Sequence, residues 1–193
     1  MPIFTKIENV HKDVILLQPL YHNGANATEL ILGDGNPPDS GIDRRTISSV
    51  KKALARSYAV DLTAQADILR RDFDRHPPLP FFLPDNRVFI PLKMRLPRVR
   101  RDSAYGFVDV NHIRGCRRCA GSTEISLSTG ARVKIFSSLS TVQTNIYMGW
   151  QIRQNSDRTE KSEGETVLEA ARIIINKLES IEACFNKINI NRN

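Results

Sequence analysis

The rhythm of apolar and polar positions changes several times along this 193-residue chain, and each rhythm predicts an element. Residues 13–18 and 28–32 are short apolar runs that predict strands. Asn23-Gly24, Gly33-Asp34-Gly35 and Asn36-Pro37-Pro38 mark turns between and after them. Ile47, Val50, Leu54 and Tyr58 then recur at helical spacing, behind Asp43 as the expected N-cap. Arg44, Arg45, Lys51, Lys52 and Arg56 supply that helix with a polar side. Residues 62–69 fit either a second helix or a strand.

Between His76 and Pro84 the prolines break any regular element. Residues 86–92 then read as a strand, 93–102 as a basic, proline-interrupted loop, 105–113 as a strand and 116–121 as a turn. Residues 124–136 predict a hairpin that turns at Thr129-Gly130, with Ile125, Leu127, Val133 and Ile135 on one face. Leu139, Val142, Ile146 and Trp150 recur at three and four and predict an amphipathic helix, followed by a polar linker over 154–164. Ser162 with Glu165 forms a capping box ahead of Val167, Ala171, Ile174, Leu178, Ile181, Phe185 and Ile188. That seam fits a C-terminal amphipathic helix that either docks on its own sheet or forms an oligomer, and Leu168 and Ile175 widen it towards docking. The expectation is an α+β fold, a mainly antiparallel sheet with flanking helices: a core over 1–155 and a C-terminal helix over 162–190.

Composition adds that this is a foldable globular chain, 40% hydrophobic and 25% charged. No apolar run approaches the length of a membrane span, and the start lacks the charged and apolar regions of a secretory signal. Three cysteines are too few for a disulfide framework. A soluble, cytoplasmic protein with no membrane partner is expected.

Charge changes the picture more. Between Arg87 and Arg118 stand nine basic residues and only two acids, Asp102 and Asp109, so this segment alone carries the net charge of +7. Residues 1–43 are acidic, with two lysines against six acids. Such clustering is the footprint of a polyanion binder. Eight of the nine are arginine, whose planar fork suits phosphate and narrow minor grooves. Lys93, Arg95, Arg98, Arg100 and Arg101 are the candidate groove or phosphate contacts, and Arg114, Arg117 and Arg118 extend the patch. Pro97 and the interspersed apolar residues would stiffen the loop or wedge a base step. Minor-groove readout separates mainly A·T from G·C, so an A/T preference follows.

Other chemistry finds less support. Cys116-Arg117-Arg118-Cys119 is a single C-x-x-C with His112 just before it, and the third cysteine, Cys184, lies far along the chain. Zinc wants four nitrogen or sulfur ligands, so His112, Cys116 and Cys119 make an incomplete metal or redox set. Asp72 and Asp74 are interleaved with Arg70, Arg71 and Arg75, which reads as surface ion pairs rather than paired catalytic acids. There is no nucleophile elbow, Walker loop or dinucleotide fingerprint, so neither an enzyme nor a cofactor is expected.

Three stretches resemble a known family. From Ile125 to Ile152 the order is strand, Ser128-Thr129-Gly130, strand, Ser138, then a helix bearing Asn145-Ile146-Tyr147. Tyr105-Gly106-Phe107-Val108 precedes His112-Ile113, and Pro77-Pro78 precedes Asn86-Arg87-Val88-Phe89-Ile90-Pro91. In these features the chain resembles the bacterial competence transcription factor family, ComK, over about residues 77–152. It departs from the family at Met148 and Gly149-Trp150, and Arg56-Ser57-Tyr58-Ala59 stands where the family has a longer glycine- and serine-rich basic segment. The resemblance implies a nucleoid-associated activator of DNA-uptake genes. It further implies a homo-oligomer that binds paired A/T-rich boxes through the minor groove and bends them, and that an adaptor delivers to a protease. The alternatives are an RNA-binding protein, a metal or redox protein using His112, Cys116 and Cys119, and an interaction protein acting through the C-terminal helix.

Overall fold

In the computed structural model the described residues are 3–33, 40–74 and 76–155. The chain divides into two units, Met1–Arg153 and Gln154–Asn193, and the architecture below is that of the first. The turn signals over 34–38, most of the linker and the helix expected over 162–190 lie outside the described residues.

A short helix α1 (Ile7–Val10) precedes a long hairpin, β1 (Val14–His22) and β2 (Ala25–Leu32). Asn23 and Gly24 both take positive φ, 50° and 78°, the two-residue turn whose twist matches that of the flanking strands. Strand β3 (Ser40–Asp43) pairs with β2, and α2 (Ile47–Ser57) follows. The cap of α2 is Thr46, not Asp43: the Thr46 hydroxyl accepts the Ser49 amide. Asp43 is buried at the end of β3, where its carboxylate takes the Ile7 amide and the Arg45 amide and guanidinium. Burial works against ionisation, yet those donors hold the carboxyl below its usual range.

The ambiguous segment is a helix, α3 (Leu62–Phe73), capped by Asp61, whose carboxylate takes the amides of Thr63 and Ala64. The proline-rich stretch still admits a short strand, β4 (Phe81–Leu83), against β5 (Arg87–Lys93). Gln65 of α3 completes it: its amide donates to the Phe82 carbonyl at 2.7 Å and accepts the Phe82 amide at 3.1 Å, so a side chain stands in for a missing neighbour at the sheet edge. Strand β6 (Tyr105–Asp109) closes a six-stranded antiparallel sheet of order β3-β2-β1-β6-β5-β4.

The strand expected over 105–113 is interrupted. Asp109 caps a 3-10 turn, Val110–His112, which redirects the chain into a second, three-stranded antiparallel sheet. That sheet is β7 (Ile113–Cys119), β8 (Ser122–Leu127) and β9 (Arg132–Ile135). Its β8–β9 hairpin is the expected one, with Ile125 opposite Val133 and Ile125, Leu127, Val133 and Ile135 all buried. The last described helix, α4, covers residues 139–155.

Alternation along the strands of the large sheet builds two cores. Phe89 and Phe107 join Leu17, Leu30, Val50, Leu54 and Phe81 in one. Val88, Ile90, Leu92 and Val108 join Leu127, Val133, Val142, Met148 and Ile152 in the other. The large sheet therefore lies between α2 and the layer formed by the small sheet and α4. The α+β class and the mainly antiparallel pairing follow the sequence reading.

Candidate nucleic-acid interface

Residues 94–104 connect β5 to β6 and are tied down at both ends. The amides of Met94 and Arg95 both donate to the Ala104 carbonyl, at 2.9 and 3.1 Å. Across the sheet, Tyr21 and Asn26 of the first hairpin hold the acid of the loop. The Tyr21 hydroxyl donates to one oxygen of Asp102, and the Asn26 amide donates to the other at 2.8 Å. Those two donors hold the Asp102 carboxyl below its usual range. The same Tyr21 oxygen accepts the Arg98 amide at 2.8 Å.

Arg95 is the exception among the expected contacts. It is buried, and its guanidinium donates to the Ser103 carbonyl (3.0 Å), the Leu20 carbonyl (3.2 Å) and Asn26 Oδ1 (2.9 Å) while stacking on the Tyr21 ring. It shapes the loop rather than facing a ligand. Arg87, another member of the basic segment, is likewise turned inwards, donating to the carbonyls of His11, Lys12 and Val14 and pairing with buried Asp109. Desolvation raises the Asp109 carboxyl despite that partner.

Among the residues that the anchored loop presents outwards are Leu96, Pro97, Arg98, Val99, Arg100 and Arg101. Leu96 and Val99 are 60% and 63% exposed. Arg98 lies over the Tyr21 ring at 4.6 Å, so its guanidinium is partly positioned in advance. Lys93 is half-buried at the root, where its carbonyl accepts the Phe136 amide at 2.6 Å. Thr123 donates to the Ser137 carbonyl at 2.9 Å, so the end of β9 is fastened both to β8 and to the root of the basic loop.

Arg114, Arg117 and Arg118 are all exposed on β7. Neighbouring residues of a strand face opposite sides, so Arg117 and Arg118 do not form one patch. Arg117 pairs with Glu124 at 2.7 Å, which offsets part of its charge. Arg132 and Lys134 of β9, outside the charge window, share its face: Glu124 stands between Arg117 and Lys134 in the register, and Ser126 opposite Arg132. Their signal in the sequence is the alternation Arg132-Val133-Lys134-Ile135, basic outwards and apolar inwards.

The C-x-x-C lies in β7, not in a turn; the turn is Ala120-Gly121, both at positive φ. Two cysteines three apart on a strand face opposite ways. Cys116 packs against the core beside Ile125, while Cys119 is exposed. His112 sits in the 3-10 turn with Nδ1 2.7 Å from the Ser128 hydroxyl. The three candidates are not gathered around one point, and among the described residues no group of three His, Cys, Asp or Glu is placed to hold a metal ion.

The class defined by this fold is an α+β protein with a six-stranded and a three-stranded antiparallel sheet and a pinned basic loop between β5 and β6. Comparison with protein-family models, with curated proteins and with solved structures gives no match. Among the described residues no helix is long and apolar enough to cross a membrane.

Proposed function

We propose that the protein binds double-stranded DNA through the loop of residues 94–104, as an A/T-preferring transcriptional activator of the competence-regulator type. One observation carries the binding part: Arg98, Arg100 and Arg101 are exposed and interleaved with exposed Leu96 and Val99 on a loop whose base is locked by Tyr21, Asn26, Arg95 and Asp102. Arginines beside apolar wedges are what a minor-groove reader needs. A loop already held in shape loses little conformational freedom on binding. The activator role, the homo-oligomer and the proteolytic adaptor rest on the resemblance of residues 77–152 to the ComK family. An RNA-binding reading has less support, because Tyr21, the ring that Arg95 and Arg98 lie over, already carries both guanidiniums and is not free to stack a base.

The test is the triple variant R98A/R100A/R101A. Loss of three phosphate or groove contacts should weaken duplex binding severely and make the slope of log K against log salt shallower by about 2 to 3. Affinity equal to that of the unaltered protein would overturn the assignment.

A further inference from the structure

A hollow lies on the large sheet, at the turn of the β1–β2 hairpin. Its volume is about 620 Å³, within the range of small-molecule sites. Ala25 and Ala27 supply short side chains there, and Phe4, His22 and Arg44 are the tall ones. Phe4 and His22 meet edge to face with ring centres 5.3 Å apart, and Phe4 is 44% exposed. The Arg44 guanidinium lies 4.2 Å over the Phe4 ring. Its neighbour Arg45 is consumed by Asp43 and Glu8, at 2.6 Å each, whereas no ion pair to Arg44 is seen among the described residues. Asn26 has its amide spent on Asp102 and Arg95, so polar recognition at the rim falls to exposed Asn23.

Apolar small residues, two rings and a preset guanidinium suit a flat heterocycle that carries a negative group. The rings and the guanidinium face offer stacking, and the guanidinium edge offers a forked pair of donors to phosphate oxygens. We infer that this hollow is a nucleotide site: a base stacks among Phe4, His22 and Arg44, and its phosphate pairs with Arg44. The inference does not rest on duplex binding by the loop of residues 94–104. The same chemistry is offered by a free nucleoside monophosphate and by the 5′-terminal nucleotide of a single strand.

The full chain is titrated by calorimetry with adenosine 5′-monophosphate and, separately, with a 5′-phosphorylated tetranucleotide, while NMR follows the ring protons of His22. Binding of the free nucleotide that shifts those protons points to a metabolite; binding of the tetranucleotide alone points to a strand end. In either case R44Q should weaken binding by about tenfold or more, the worth of a hydrogen bond to a charged group. A25L, which fills the hollow from an exposed strand position, should weaken it comparably. Absence of binding by both ligands at millimolar concentration, unmoved His22 resonances, or unchanged affinity in either variant overturns the inference. Retained binding in R98A/R100A/R101A is expected, so failure of this site and failure of the loop assignment are read separately.

Discussion

Tyr21 does three things at one point of the chain: its hydroxyl donates to Asp102, the same oxygen accepts the Arg98 amide, and its ring carries two guanidiniums. The substitution Tyr21→Phe keeps the ring and removes both hydrogen bonds. It should cost the loop about 1–2 kcal/mol of local stability. Trypsin should then cut after Arg98, Arg100 or Arg101 several-fold faster, and duplex affinity should fall although no arginine has been touched. Unchanged cleavage would mean that the loop is held by other means.

Lys51 tests the core of Phe81, Phe89 and Phe107. Its ammonium sits 4.6 and 4.4 Å over the rings of Phe81 and Phe107, and burial lowers its pKa to about 8 from 10.5. Below pH 8 the lysine is charged in both states, and the folded state bears the full desolvation penalty. Between pH 8 and 10.5 the unfolded chain keeps a proton that the folded protein has shed, so this group makes stability rise with pH. Two cation–π contacts offset part of the penalty. Lys51→Met should therefore add about 1–2 kcal/mol at pH 7 and flatten the gain above pH 8. Urea unfolding at pH 7 and pH 10 checks both; a stability loss at pH 7 would show that the ring contacts outweigh burial.

At the scale of elements, α4 seats on the sheet through a residue with no side chain. A Cβ on Gly149 would come within 2.6 Å of Ile90 Cγ2 and 3.4 Å of Val110. Ile90 is fully buried and β-branched, so it has little room to give. Alanine improves helix propensity by about 1 kcal/mol, and overpacking costs about 1–3 kcal/mol. Overpacking wins here because the clash is with the body of a core residue: Gly149→Ala should lower stability by about 1–2 kcal/mol and speed amide exchange over 139–155. Stabilisation would contradict the close seating.

How legible an element was depended on whether its signal was local. The β1–β2 hairpin has Asn-Gly between apolar runs, and β8–β9 has strict alternation around Thr129-Gly130; both declare themselves within about a dozen residues. The residues 43–46 offer two cap types close together, and Asp43 was claimed by Ile7 and Arg45 from outside the helix, leaving Thr46. Strand β7 reads as arginines, a glycine and cysteines because one of its sides is open, so its strand character comes from pairing with β8 rather than from its own pattern. Likewise, nothing near Arg95 announces its burial: Leu20, Tyr21 and Asn26 lie about seventy residues earlier in the chain.

For the whole molecule, the charge window marked a segment but not which of its charges face out. The fold turns Arg87 and Arg95 inwards, sets Arg117 against Glu124 and leaves Arg98, Arg100 and Arg101 exposed together on an anchored loop beside Leu96 and Val99. It also adds Arg132 and Lys134 to the face of Arg117 from a strand outside the window. Electrostatic attraction alone would give binding blind to sequence and easily lost in salt. Apolar residues entering a groove would add selectivity and a contribution that salt does not screen. The most direct measurement is therefore fluorescence anisotropy with an A/T-rich duplex carrying two spaced boxes and a G/C-rich duplex of equal length, each titrated at low and near-physiological salt. Tighter binding to the A/T-rich duplex that persists near physiological salt is the predicted result. Equal binding to both duplexes that disappears as salt is raised would contradict the proposal and reduce the loop to a polyanion patch.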